Sequence, residues 1–147
     1  MFLQIAIGSA LILTTTLIAG AGYLLVEAAL ARLQFWLLKP PHATKLLALL
    51  MGSMIWVLMI VTIAVWIWAF ALYLLGVFIT IEGSVYFSIV AFTTLGFGDI
   101  LLPHQWRLLA GMSAVNGLVM IGLLTAILVE VLRRVRAIQA ETRNWSA

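Results

Sequence analysis

The 147 residues include no cysteine, which excludes disulfides and thiolate metal sites. Charge is scarce too: 9% of residues are Asp, Glu, Lys or Arg, against 65% hydrophobic, which excludes disorder and argues against a soluble globule. The net charge of +3 carries no nucleic-acid signal, because no basic run stands apart from the apolar segments. Lys and Arg are absent from residues 1–31. A secretory leader needs a basic start, so this stretch reads as a retained helix, although Ala19-Gly20-Ala21 resembles a cleavage site. Proline is rare, and Lys39-Pro40-Pro41-His42 marks a loop. No cluster of His, Asp or Glu lies inside an apolar run, which gives an integral membrane enzyme little support.

What the chain does have is three long apolar runs. A span needs roughly 20 such residues. The expected organisation is a transmembrane helix within 1–33, a loop over 34–45, a second span over 46–75, a third over 108–133 and a tail over 134–147. Glu27 is the only charge in the first run. Between the second and third lies a shorter apolar segment, predicted as a helix over 84–94 with Ser84 as a candidate N-cap. At about 16 Å it is half the length of a span, so it suits a re-entrant helix. Seven basic residues (Arg32, Lys39, Lys45, Arg133, Arg134, Arg136 and Arg143) fall on one side of the three spans, and Arg107 alone on the other. The positive-inside rule then puts the N-terminus and the 76–107 region outside and the C-terminus in the cytoplasm.

After the short helix comes Thr93-Thr94-Leu95-Gly96-Phe97-Gly98-Asp99. Non-helical backbone at membrane depth is tolerated only inside protein or along a water-filled path. Glycines at alternate positions allow a backbone whose successive carbonyls turn the same way, and a row of carbonyls replaces an ion's hydration shell. One chain supplies one wall only, so several copies must surround an axis. The C-terminal, partly negative end of the short helix favours a cation there.

At these residues the chain resembles the pore domain of the potassium channel family, whose pattern is Thr-x-Gly-Tyr/Phe-Gly-Asp after a pore helix, flanked by two transmembrane helices. The resemblance covers about residues 46–133 and suggests a small prokaryotic-type member with an extra N-terminal span. It implies an all-α membrane fold: three transmembrane helices, a re-entrant pore helix and a selectivity-filter loop, assembled as a homotetramer in a prokaryotic inner or plasma membrane. The implied activity is passive potassium conduction, with no catalysis and no cofactor beyond the permeant ion. By resemblance, carbonyls of Thr94, Leu95, Gly96 and Phe97 coordinate K+, and the Thr94 hydroxyl adds the innermost ligand. Leu95 and Phe97 side chains pack behind the filter. Thr93, Gly98, Asp99, Tyr86 and Val90 support it, with Asp99 hydrogen-bonding into the pore helix and Tyr86 as its candidate partner. Two positions depart from the commonest pattern: Phe97 lacks a tyrosine hydroxyl, and Val90 stands where some members carry an acid.

In the third span Gly117 is either the family's hinge or a close-packing glycine. If Gly117 faces the pore, Ile121, Thr125 and Val129 share its helical stripe and line a cavity or gate; the alternative is ordinary lipid or interhelix packing. Asn116 is expected to make an interhelical hydrogen bond, and Glu27 to snorkel or pair with a base such as Arg32. Arg133, Arg134 and Arg136 either anchor topology or bind anionic lipid. Trp36, Trp56, Trp66, Trp68 and Trp106 suit interfaces, with Trp56 and Trp66 deeper between helices. Glu82, His42 and His104 read as loop residues. The rival functions are a weakly selective cation channel and a non-conducting scaffold that keeps the pore fold.

Overall fold

A computed structural model of the chain describes residues 1–37 and 42–145, with side chains described for 1–33 and 44–137. Lys39, Pro40 and Pro41, and the side chains of Trp36, His42 and Arg143, lie outside the described residues. Four α-helices carry the fold: α1 (Phe2–Leu37), α2 (His42–Leu74), α3 (Ile81–Phe92) and α4 (Arg107–Trp145). A 3-10 turn, His104–Trp106, leads into α4.

Three of the helices are long and apolar enough to cross a membrane, over Phe2–Leu33, Thr44–Leu74 and His104–Ala137. In lipid, a helix satisfies its own backbone polar groups, so uninterrupted apolar runs extend as helix until a breaker. Each helix overruns an expected bound, although α2 stops at Leu74, one residue inside its expected end. α1 runs on to Leu37 and α2 begins at His42, so both edges of the expected 34–45 loop are helical. α4 continues through the charged 134–145 stretch, and at the entry to it Glu130 and Arg134 pair at i,i+4, a spacing that supports a helix in water.

Only 6% of the most apolar window of α2 and 17% of that of α1 are buried inside the chain, against 33% for α4, so α4 is the central helix. α1 packs mainly along α4 and less along α2. Its buried seam holds Gly8, Thr15 and Gly22, seven residues apart, with Ala19 between them. A repeat of seven keeps one stripe facing a partner under slight left-handed supercoiling. The glycines are there for proximity: a Cβ at Gly8 would meet the Met112 side chain, and one at Gly22 the ring of Trp56.

Two apolar clusters divide the bundle. One joins Trp68, Leu72, Phe87, Leu102 and Leu109 near the end that carries α3. The other joins α1, α2 and α4 toward the basic end, through Ile60, Ala64, Leu124, Ile127 and Val131, and reaches Phe92 of α3. Trp68 is fully buried, whereas Trp66, expected between helices, is exposed and stacks on Phe70 at 5.3 Å.

Candidate functional site

The site begins with the ends of α3. Thr80, not Ser84, caps its start: Thr80 is extended (φ −119°, ψ 145°), and its hydroxyl accepts from the Gly83 N–H at 3.2 Å. Helix therefore starts three residues earlier than expected, with Glu82 in the first turn, where the dipole favours an acid. Ser84 is fully buried and turns its hydroxyl back onto the Thr80 carbonyl.

The other end stops two residues short of the expected limit, and the reason is a specific cap. The Leu95 N–H donates to the Val90 carbonyl at 3.1 Å and the Thr94 N–H to the Ala91 carbonyl at 3.0 Å. This pair of bonds is a Schellman motif, which requires a left-handed residue at Thr94. Thr94 has φ +57°. Glycine is the usual occupant, and a β-branched residue there is a genuine outlier.

From that cap onward φ alternates in sign. Thr94, Gly96 and Gly98 are positive, at 57°, 54° and 76°, and Leu95 and Phe97 between them are not. An ordinary extended strand points successive carbonyls to opposite sides. Alternating left- and right-handed residues turn them toward one side, which glycine permits at positions 96 and 98 without steric cost.

Bracing comes from outside the loop. The Tyr86 hydroxyl of α3 donates to Asp99 Oδ2 at 2.6 Å, a short bond of the charge-assisted kind. That bond holds the Asp99 carboxyl below its ordinary range, partly opposed by desolvation, and raises the Tyr86 phenol. Thr93 donates to the Ile89 carbonyl at 2.9 Å. Val90 is buried. Within one chain, by contrast, the side chains of Leu95 and Phe97 pack against little, at 57% and 67% exposed. Behind the loop a recess of about 260 Å³ is lined by Phe87, Val90, Ala91, Ile100, Ala110 and Ala114, together with Thr94, Gly96 and Gly98.

Gly117 is buried, and a Cβ there would collide with the carbonyl oxygen of Phe92. The glycine therefore lets the C-terminal turn of α3 rest on the α4 backbone, a packing role that fixes the height of the loop. Ile121, Thr125 and Val129 are exposed along α4, with the Thr125 hydroxyl donating to the Ile121 carbonyl at 2.7 Å. Asn116 turns to α1, where the Thr15 hydroxyl donates to its Oδ1 at 2.9 Å. Glu27 pairs with Arg134 at 2.6 Å rather than with Arg32, and Tyr23 donates to the same carboxylate at 3.1 Å. Arg133 and Arg136 are exposed. Among the described residues no three of His, Asp or Glu converge as a metal site.

Thr80, Thr15 and the Arg134 pairing were not foreseen. A Thr before an apolar run with an acid in the first turn, here Thr80 and Glu82, was a readable cap signal for the first. Nothing local to the sequence marks the other two, which depend on how separate helices meet.

A family model described as ion channel matches residues 60–134, just over half of the chain: the C-terminal half of α2, all of α3, the loop and α4 as far as Arg134. No curated protein and no solved structure matches.

Proposed function

Because the chain belongs to the ion-channel family matched by its residues 60–134, we propose that it is a potassium-selective subunit of a homotetramer, with Thr94–Phe97 as its filter. The observation that carries this reading is the alternation of φ from Thr94 to Gly98 directly after the α3 cap. Carbonyls of Thr94, Leu95, Gly96 and Phe97 from four chains would surround an axis and replace the hydration shell of K+. The Thr94 hydroxyl would supply the ligand nearest the cavity, and the C-terminal end of α3 would lend partial negative charge.

Tetramer formation gives the exposed side chains a place. Phe97 and Leu95 of one chain would pack into a recess next to the loop of another, removing two large apolar surfaces from water. The exposed Ile121, Thr125 and Val129 stripe would face the cavity and gate. The unequal distribution of Lys and Arg supports an outward-facing loop and a cytoplasmic basic end, in a prokaryotic-type plasma membrane. The functional division is then an N-terminal helix, a pore domain over residues 46–133 and a cytoplasmic tail. Arg133 and Arg136 are the open candidates for anionic lipid, since Arg134 is engaged by Glu27 and Glu130.

Purified protein in planar bilayers under bi-ionic K+/Na+ conditions tests the reading. A reversal potential displaced far toward the potassium equilibrium value is expected. A value near zero selects a weakly selective cation channel, and absence of current selects a scaffold. Growth rescue of a potassium-uptake-deficient cell should require Gly96: rescue that survives Gly96→Ala would count against a carbonyl filter.

A further inference from the structure

Toward the basic end, α1 is tied to α4 through one side chain. All three nitrogens of the Arg134 guanidinium are engaged. Nη1 pairs with Glu27 Oε1 at 2.6 Å, Nη2 donates to the Tyr23 hydroxyl at 3.3 Å, and Nε donates to Glu130 Oε1 at 2.9 Å. Tyr23 donates in turn to Glu27 Oε1 at 3.1 Å. Tyr23 and Glu27 stand four residues apart on one face of α1, whereas Glu130 belongs to α4 itself. Arg134 thus bridges an acid of its own helix and an acid of another, which the fixed fork of a guanidinium permits.

A second polar link, Thr15 to Asn116, joins the same two helices farther from the basic end. Asn116 and Arg134 are 18 residues apart, about five helical turns, so both leave α4 on one side. Thr125 is nine residues from Arg134, about two and a half turns, and lies on the opposite side. The two links differ in depth. Thr15 and Asn116 are fully buried, whereas the Arg134 and Glu27 side chains are 45% and 34% exposed. A pair that water reaches is weak enough to break, and breaking it leaves Arg134 on Glu130. Apolar contacts between α1 and α4 oppose separation only weakly, because lipid solvates the parted faces.

We propose that Tyr23, Glu27 and Arg134 form a releasable latch that draws the basic half of α4 toward α1 and so favours an open inner mouth. The proposal rests on the pore reading above, in which the Ile121, Thr125 and Val129 face borders the axis. With the latch closed, this half of α4 is held away from the axis. On release it swings inward below the Thr15–Asn116 link, and Arg134 passes wholly to Glu130. α1 is then a lever on the pore from its periphery.

Single-channel recording of the full chain in planar bilayers tests the gating. Glu27→Gln is expected to lower the ratio of open to closed time at least about threefold, since each exposed pair is weak but four act on one mouth. Tyr23→Phe should lower it by less, and decides the matter if Glu27→Gln does not fold. Glu130→Gln should raise the ratio, because the released guanidinium loses the acid that receives it. A fall in Glu130→Gln as well, or an unchanged ratio in Glu27→Gln, would overturn the proposal. The latch itself is read without current. Cysteine is absent from the chain, so Ala31→Cys with Ala137→Cys carries two spin labels, one near the end of each helix. In labelled chains diluted among unlabelled ones, Glu27→Gln should shift the distance between the labels to longer values; an unchanged distance would sink the latch. A longer distance in a protein whose unaltered form passes no current would instead reject the pore reading and the gating role with it, while the latch stands.

Discussion

At Thr94 a β-branched side chain occupies a left-handed position, φ +57°, that the α3 cap imposes. Such a residue costs about 1–2 kcal/mol relative to its ordinary conformation, and strain of this kind persists where something else requires it. Glycine would relieve the backbone and delete the hydroxyl. Thr94→Gly is therefore expected to raise unfolding free energy in detergent by about 1 kcal/mol, while shifting the bi-ionic reversal potential toward zero; Thr94→Ser should retain selectivity. The Tyr86–Asp99 bond sets a second expectation. Asp99 titrates below its ordinary 3.8, so its contribution is present above that value and fades as pH falls through the lowered one. Tyr86 titrates above its ordinary 10.0, so its contribution fades only as pH rises through the raised value. Between about pH 4 and 10 the brace should hold. Outside-pH titration of open-channel persistence should be flat across that window, and Tyr86→Phe should shorten openings within it. A wild-type channel that loses persistence between pH 5 and 7 would show that other groups control the loop.

Among the elements, α3 rests directly on the backbone of α4. Gly117 meets the carbonyl of Phe92, a backbone atom that moves only if α3 moves. Overpacking of this kind costs about 1–3 kcal/mol, so Gly117→Ala should lower stability by that amount and reduce unitary current, both measurable on one preparation. Gly122→Ala is the control, since a Cβ there meets nothing within 4 Å. The three spans and the half-length helix were legible in the sequence, because hydropathy over a long window needs no tertiary information. The ends of α3 were less so: Ser84 looked like a cap, yet Thr80 reaches the Gly83 N–H and Ser84 is buried. In the loop, the glycines announced positive φ at 96 and 98, whereas Thr94 gave no such sign because threonine rarely adopts it. Glu27 illustrates the limit best. Arg32 is five residues on, about 140° around the helix, and the true partner Arg134 comes from α4.

For the whole molecule, the exposed surface is unevenly informative. Lipid accounts for apolar faces of α1 and α2, but Phe97 and Leu95 belong to a loop that lipid does not solvate. The chain of 16.1 kDa is expected to run in detergent as an assembly of four, measured by light scattering with the detergent contribution removed. A stable monomer would leave the loop without its opposite walls. The link between α1 and α4 also bears on the order in which the molecule is made. Thr15 and Asn116 are 101 residues apart, so α1 leaves the ribosome long before its partner exists. The early helix is prepared to wait: the Thr15 hydroxyl reaches its own Leu11 and Ile12 carbonyls, each at 3.0 Å. Among the described residues Asn116 has no such local provision, and its buried Nδ2 has no partner there. The late helix thus enters the bilayer carrying a polar side chain, and the polar group already stationed there gives it a reason to stop beside α1.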